Sequence, residues 1–291
     1  MGELMSGKQA VLEMLKAEGI EYIFGNPGTS EGPLIDMLGN YPEFKYVMAL
    51  QESVAVGMGE SYARSTQKTA FVSLHVDSGL ANGIALMLDA LNTGTPLVVT
   101  SCNYDSRKIN ENKTDLAELV RPVTKWSVEL DIAEQIPSVM RRAFNEANSH
   151  PKGPVYVGFT ANALEGMAEM NIVPSSDIHD NVRPDPAGIK KAAELLISAK
   201  SPLLIVGDRV SDDDALEDAV QLAELAGLPV YQSRGAEVSF PTTHPQYLGV
   251  HSLRVAAHRE ALKGYDLIIT VGTDTFDELF YWGDVILGEN T

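Results

Sequence analysis

Tyr22-Ile23-Phe24-Gly25-Asn26-Pro27-Gly28-Thr29-Ser30-Glu31 is the stretch that decides the fold. Three β-favouring residues run into a Gly/Pro turn, and the turn opens a helix. The glycines permit close backbone approach, and Thr29 or Ser30 is placed to cap the helix. Free N–H groups at that point can face an anion. The spacing is not Gly-x-Gly-x-x-Gly, nor a Walker A loop, which ends in Lys. By spacing alone it reads as a tight strand-to-helix turn.

The same unit recurs outward from this turn. Apolar, β-rich runs at 46–50, 70–75, 97–101 and 155–159 alternate with helical patterns at 8–17, 53–64, 80–91 and 132–147. Near-continuous apolar strands separated by helices predict an α/β fold with a parallel sheet covered on both faces. Residues 1–165 form this first domain. Residues 166–185, with Pro174, Ser175, Ser176, Asp177 and Pro184, break the rhythm and read as a surface linker. Residues 186–291 give a second, Rossmann-like α/β domain that looks incomplete. Its expected helices are 189–198, 215–225 and 253–262, and its expected strands 203–206, 230–232 and 267–271.

Composition narrows the classes. Lys and Arg number 22 against 40 Asp and Glu, a net charge of −18, so a nucleic-acid partner is not expected. The 44% hydrophobic and 21% charged content suits a folded domain rather than a disordered chain. No apolar run reaches the roughly 18 residues of a membrane span, and the N-terminus lacks a signal-peptide pattern. One cysteine, Cys102, excludes an intrachain disulfide framework and fits a reducing cytoplasm. No metal-ligand spacing stands out. Asp212-Asp213-Asp214 with Glu217 and Asp218 reads as an acidic helix start that favours the macrodipole.

Two further junctions carry ionisable groups. Glu52 follows the strand at 46–50 and starts a helix among Leu50, Val54, Ala55 and Val56. It reads either as a first-turn Glu favoured by the helix dipole or as a partly desolvated carboxylate able to hold or share a proton. His75 ends the next strand and precedes Gly79 and Asn82. Sites in open parallel sheets collect at the carboxyl ends of strands, so Glu52 and His75 are placed to face one crevice. The other histidines lie in loops or helices without ligand spacing and read as structural.

Taken together, the junctions resemble the pyrimidine-binding domain of thiamine diphosphate enzymes, in the branch of benzoylformate decarboxylase and its relatives. The residues that carry the likeness are Phe24 to Thr29; Leu50-Gln51-Glu52 with Gly57 and Tyr62-Ala63; and Leu74-His75 with Gly79 and Asn82. Arg121-Pro122, Lys125-Trp126-Ser127 and Gly153-Pro154-Val155-Tyr156-Val157 continue it. The likeness covers roughly the first 165 residues, and the stretch from about Asp185 resembles the start of the central domain of the same enzymes.

The resemblance implies a cofactor, thiamine diphosphate with Mg²⁺, and a small 2-oxo acid as substrate. It makes Glu52 the glutamate that bonds N1′ of the aminopyrimidine, with Pro27, Gly28 and Asn82 also at the cofactor. It makes His75 the histidine that handles protons on the substrate side. It sets Thr29, in place of a serine, near the substrate carboxylate. Acetolactate synthases share the glutamate but usually show Thr-Ser-Gly-Pro-Gly where this chain has His75 to Gly79, which favours the decarboxylase branch over the carboligase one.

Two departures follow from the same comparison. A second catalytic histidine is expected after the strand at 267–271, yet Leu279 stands near its place. The Gly-Asp-Gly and Asn-Asn pattern of the diphosphate-binding domain is missing, and Gly207-Asp208-Arg209 does not supply it. The expectation is therefore half a site. The chain is then the N-terminal part, or one subunit, of such a decarboxylase. A second subunit carrying the diphosphate-binding domain would complete the site in a dimer or tetramer, and the isolated chain would be inactive. The competing expectation is a binding or regulatory module that kept the fold and lost the chemistry.

Overall fold

Ala70–Leu74 is a strand in which all five residues are buried. Side chains alternate across a strand. Here Phe71 packs on one side with Leu12, Met14, Met140 and Phe144. Ala70, Val72 and Leu74 pack on the other with Ala55, Val56, Leu80 and Met87. A strand apolar on both faces needs helices on both, and burying each such Leu or Phe contributes about 1.5–3 kcal/mol. This alternation sets the architecture around it.

The computed structural model describes residues 2–108, 113–176, 183–235, 237–273, 286–289 and 291. The chain divides into two compact units, Met1–Asn181 and Val182–Thr291. In chain order the first contains β1 (Glu3–Ser6), α1 (Gly7–Ala17), β2 (Tyr22–Asn26), α2 (Gly32–Leu38), β3 (Lys45–Met48), α3 (Glu52–Thr66), β4 (Ala70–Leu74) and α4 (Ser78–Thr93). It continues with β5 (Leu97–Asn103), α5 (Leu116–Val120), β6 (Trp126–Leu130), α6 (Ile136–Asn148), β7 (Pro154–Thr160), α7 (Ala161–Glu165) and β8 (Met167–Met170).

Six of these strands form one sheet in the order β3-β2-β4-β5-β7-β6, and every pairing is parallel. Helices α1 and α6 contribute to one core, and α3 and α4 to the other. From β2 the chain crosses to β3 on one side, and β4 then lies on the other. The gap between β2 and β4 is thus the point where winding reverses, and crevices form outside the carboxyl ends of strands at such a point. Asn26 pairs with Leu74 there, so the turn after β2 and the residue after β4 are neighbours.

Two sequence expectations change. The stretch at 166–185 is not linker throughout. Met167–Met170 is a strand paired antiparallel with Glu3–Ser6, and Ala168 and Met170 are buried. The apolar alternation there is a two-stranded ribbon closing the first unit. Trp126–Leu130, which carries part of the family resemblance but no strand pattern in the sequence, is an edge strand of the sheet.

The second unit contains α8 (Pro186–Ser198), β9 (Pro202–Val206), α9 (Arg209–Asp212), α10 (Leu216–Ala226), β10 (Val230–Gln232), β11 (Tyr247–Val250), α11 (Ala256–Leu262) and β12 (Leu267–Val271). Its described strands make a parallel sheet in the order β11-β10-β9-β12. Leu204 and Val206 face Ala219 and Ala223, while Leu203 and Ile205 face Leu253 and Leu262. β11 is not among the expected strands, and the last helix begins at Ala256 rather than 253. Leu279 lies outside the described residues. Among the described residues no helix is long and apolar enough to cross a membrane.

Candidate active site

The turn after β2 is built around one buried carboxylate. Glu31 is 0% exposed. Its Oε2 accepts from the Gly28 N–H at 2.9 Å. Its Oε1 accepts from the Ser30 hydroxyl at 2.9 Å and from the Cys102 N–H of β5 at 2.9 Å. Burying a carboxylate is costly unless donors replace water, and three do so here. The helix cap expected from Thr29 or Ser30 is not present. α2 begins at Gly32 behind Glu31, without a side-chain cap, because the Ser30 hydroxyl is used on the Glu31 carboxylate. Thr29 is exposed on the turn, and Pro27 is half-buried.

Glu52 is the first residue of α3. Gln51 caps that helix, its Oε1 accepting from the Val54 N–H at 3.1 Å. The cap fixes the entry of the chain and turns Glu52 inward, to 7% exposure. Its Oε1 accepts from Asn26 Nδ2 at 2.9 Å, and its Oε2 from Asn82 Nδ2 at 3.1 Å. Asn26 comes from the end of β2 and Asn82 from α4. Both carboxylate oxygens are thus held by amide donors, and the helix N-terminus adds a favourable partial charge.

His75 follows β4, and its Nδ1 lies 3.4 Å from Glu31 Oε2. Two glycines seat the ring. A Cβ at Gly28 would fall 1.9 Å from His75 Nδ1. A Cβ at Gly79 would fall 2.7 Å from His75 Cβ and 2.9 Å from Glu52 Oε1. Between His75 and α4 the chain turns through Asp77, whose φ of 51° lies in the left-handed region, a strained conformation for Asp that tends to collect at functional sites.

Six residues singled out from sequence therefore gather at one end of the sheet. Glu52, His75 and Asn82 form its polar core, and Gly28, Pro27 and Thr29 belong to the turn beside it. Asn82 reaches the Glu52 carboxylate. The sequence alone gives Asn26 and Glu31 no role beyond the turn. A Glu beside a helix start is ordinarily a dipole-favoured residue, and the contact that distinguishes Glu31 comes from Cys102, far along the chain. The Glu31 charge also reaches its neighbours. Burial first, and then Glu31, push the Tyr46 hydroxyl and the Cys102 thiol above their ordinary values.

The arrangement offers two proton-handling groups, a carboxylate and an imidazole, on either side of Gly79. Among the described residues no three His, Cys, Asp or Glu side chains converge as a metal site would require. A separate cavity of about 430 Å³ lies over β6. Its cations are already paired, Lys113 with Glu129 at 2.7 Å and Arg121 with Glu118 at 2.6 Å.

Comparison with known proteins identifies the family. Residues 5–121 match the thiamine pyrophosphate enzyme N-terminal TPP binding domain, and residues 189–285 match the central domain of the same enzymes. Benzoylformate decarboxylase of Pseudomonas aeruginosa is 31% identical over 275 residues, covering 92% of this chain and 52% of that protein. The acetolactate synthase large subunit of Haemophilus influenzae is 30% identical over 283 residues, 94% of this chain and 49% of the relative. Among solved structures, the thiamine diphosphate-dependent 4-hydroxybenzoylformate decarboxylase of Rhodococcus jostii superposes with a TM-score of 0.88 at 31% identity, over 98% of this chain and 55% of that one. The benzoylformate decarboxylase of Polynucleobacter necessarius gives 0.84 at 27% identity, over 98% and 54%. The chain spans about half the length of the curated relatives it matches. With both domain types matched in order and the folds superposing, the chain belongs to the thiamine pyrophosphate enzyme family.

Proposed function

We propose that this chain supplies the pyrimidine-facing half of a thiamine diphosphate-dependent 2-oxo-acid decarboxylase of the benzoylformate decarboxylase type. The observation that carries the reading is the Glu52 carboxylate, buried at the switch point, held on both oxygens by Asn26 and Asn82, and adjacent to His75.

The donor set suits the cofactor. Each Glu52 oxygen accepts one amide hydrogen and keeps further acceptor capacity, so the carboxyl group can share a proton with N1′ of an aminopyrimidine. Gly79 keeps the space beside Glu52 Oε1 clear, since a Cβ there would lie 2.9 Å away. Pro27, Gly28 and Asn82 would border the same group. When bound, thiamine diphosphate supplies a thiazolium that takes up the electron pair left as carbon dioxide departs. The 291 residues contain no Gly-Asp-Gly or Asn-Asn pattern. The diphosphate and Mg²⁺ would be held by a diphosphate-binding domain, whether carried further along a longer form of this chain or by a second subunit of a dimer or tetramer.

The chain's own residues divide the remaining work. Glu52 holds a proton at N1′. His75 takes up and returns a proton on the substrate side. Thr29, exposed on the turn, offers a hydroxyl toward the substrate carboxylate. His75 in the crevice supports decarboxylation over acetolactate synthase-like carboligation, because that branch usually lacks a histidine at this point.

The test is Glu52→Gln in the enzyme assembled with a diphosphate-binding subunit. Turnover of benzoylformate and related 2-oxo acids is expected to fall by about 10²–10⁴-fold, the usual contribution of a positioned acid–base group. Turnover at the wild-type rate would remove Glu52 from its role.

A further inference from the structure

Glu31 stands in the crevice, and the proposed reaction gives it no task. It is also the most deeply placed, fully buried with three donors on its carboxylate. Those three bonds tie the turn to β5, and beside the carboxylate they hold lies His75, its Nδ1 3.4 Å from Glu31 Oε2.

The contact has a direction. A carboxylate oxygen accepts hydrogen bonds. The imidazole nitrogen that faces Glu31 Oε2, at 3.4 Å, is Nδ1, and a hydrogen bond from the ring to that oxygen requires the proton on Nδ1. A neutral ring with Nδ1–H has Nε2 as its bare acceptor. The ring has little freedom to turn away. Gly28 leaves no more than a hydrogen's width against Nδ1, and Gly79 packs against Cβ. The His75 side chain is 38% exposed while that of Glu31 is 0% exposed, so one edge of the ring is buried on the carboxylate and the rest faces outward.

We infer that Glu31 is a positioning residue: it holds His75 in the Nδ1–H tautomer and leaves Nε2 as the proton acceptor of the crevice. When Nε2 takes up a proton, both ring nitrogens carry hydrogen, and the positive charge forms beside the Glu31 carboxyl group. When Nε2 returns the proton, the starting tautomer is restored. The anchor for this device is split between the turn, through Gly28 and Ser30, and β5, through Cys102. A shift of the turn relative to β5 would therefore move His75. The inference rests on the reading of His75 as the substrate-facing group, but its structural half is independent of any reaction.

The experiment separates the two. In the 291-residue chain with ¹⁵N-labelled histidine, long-range ¹H–¹⁵N correlation reads the tautomer of each neutral ring, and His75→Gln assigns the His75 signals. The expected result is Nδ1–H for His75 in the wild type and a shift of population toward Nε2–H in Glu31→Gln. An Nε2–H ring in the wild type overturns the inference, as does an unchanged tautomer in a folded Glu31→Gln. Should Glu31→Gln fail to fold, the wild-type tautomer alone decides. In the assembled enzyme Glu31→Gln should lower kcat by about ten- to a hundredfold, part of the roughly 10²–10⁴-fold of a positioned acid–base group, with KM changed much less. A KM effect without a kcat effect contradicts the inference. If no 2-oxo acid is turned over by any form while the tautomer result holds, the decarboxylase reading fails and the hold of Glu31 on His75 stands.

Discussion

Asn26, at the carboxyl end of β2, donates from Nδ2 to Oε1 of Glu52, the first residue of α3, at 2.9 Å. The bond ties the Gly/Pro turn to the helix that starts after the neighbouring strand. With Asn82 on the other oxygen at 3.1 Å, it makes the orientation of one carboxylate depend on three separate elements.

Removing either amide should be felt unequally. Asn26 is half-buried and Asn82 exposed, so water can replace the Asn82 donor but not fully that of Asn26. Asn26→Ala is expected to cost about 1.5–3 kcal/mol, the range for a hydrogen bond to a charged group. Asn82→Ala should cost clearly less. Urea unfolding of the two variants measures the difference, and equal losses would show that Asn26 has no privileged hold.

Gly79→Ala sets two effects against each other. Alanine is favoured over glycine in a helix by about 1 kcal/mol. The added Cβ, however, would lie 2.7 Å from His75 Cβ and 2.9 Å from Glu52 Oε1, and overpacking of this kind costs about 1–3 kcal/mol. The clash is expected to win, lowering Tm and displacing both polar groups. A variant more stable than wild type, with full activity in the assembled enzyme, would contradict the seating of His75 and Glu52 against Gly79.

Away from the crevice, Glu60 on α3 gives a pH test. Its carboxyl is held above the usual carboxylate range, first by burial and then by the charge of Asp89. The folded state thus favours the protonated form. The stability this gives is present below the unfolded value and is lost as pH rises through the folded one. Glu60→Gln should therefore raise Tm relative to wild type at neutral pH, and the advantage should disappear below about pH 4. A destabilised Glu60→Gln at neutral pH would show that the contacts of Glu60 with Thr93 at 3.2 Å and Arg64 at 3.8 Å outweigh its burial.

The parts of the fold legible in the sequence are those with an unbroken pattern. Ala70–Leu74 is buried throughout and apolar but for Ser73, and Pro154–Thr160 is buried throughout and mostly apolar, ending in Thr160. Two of the edge strands are less legible. Trp126–Leu130 is only partly buried and carries Ser127 and Glu129, and Tyr247–Val250 includes Gly249 at φ 110°. Neither shows the apolar run of a central strand. Met167–Met170 was hidden because its partner, Glu3–Ser6, lies at the other end of the unit. The crevice was legible as a place, since Glu52 and His75 both stand at carboxyl-end junctions. The contacts that define it were not, because Asn26 to Glu52 and Glu31 to Cys102 are meetings of residues distant in sequence.

The central claim is that Glu52 holds a proton for a bound aminopyrimidine. The most direct measurement is the rate of deuterium exchange at C2 of thiamine diphosphate, followed by proton NMR in the assembled enzyme, for wild type and Glu52→Gln. Exchange about 10²–10⁴-fold slower in Glu52→Gln is the predicted result. Equal exchange rates in the two proteins would contradict the account.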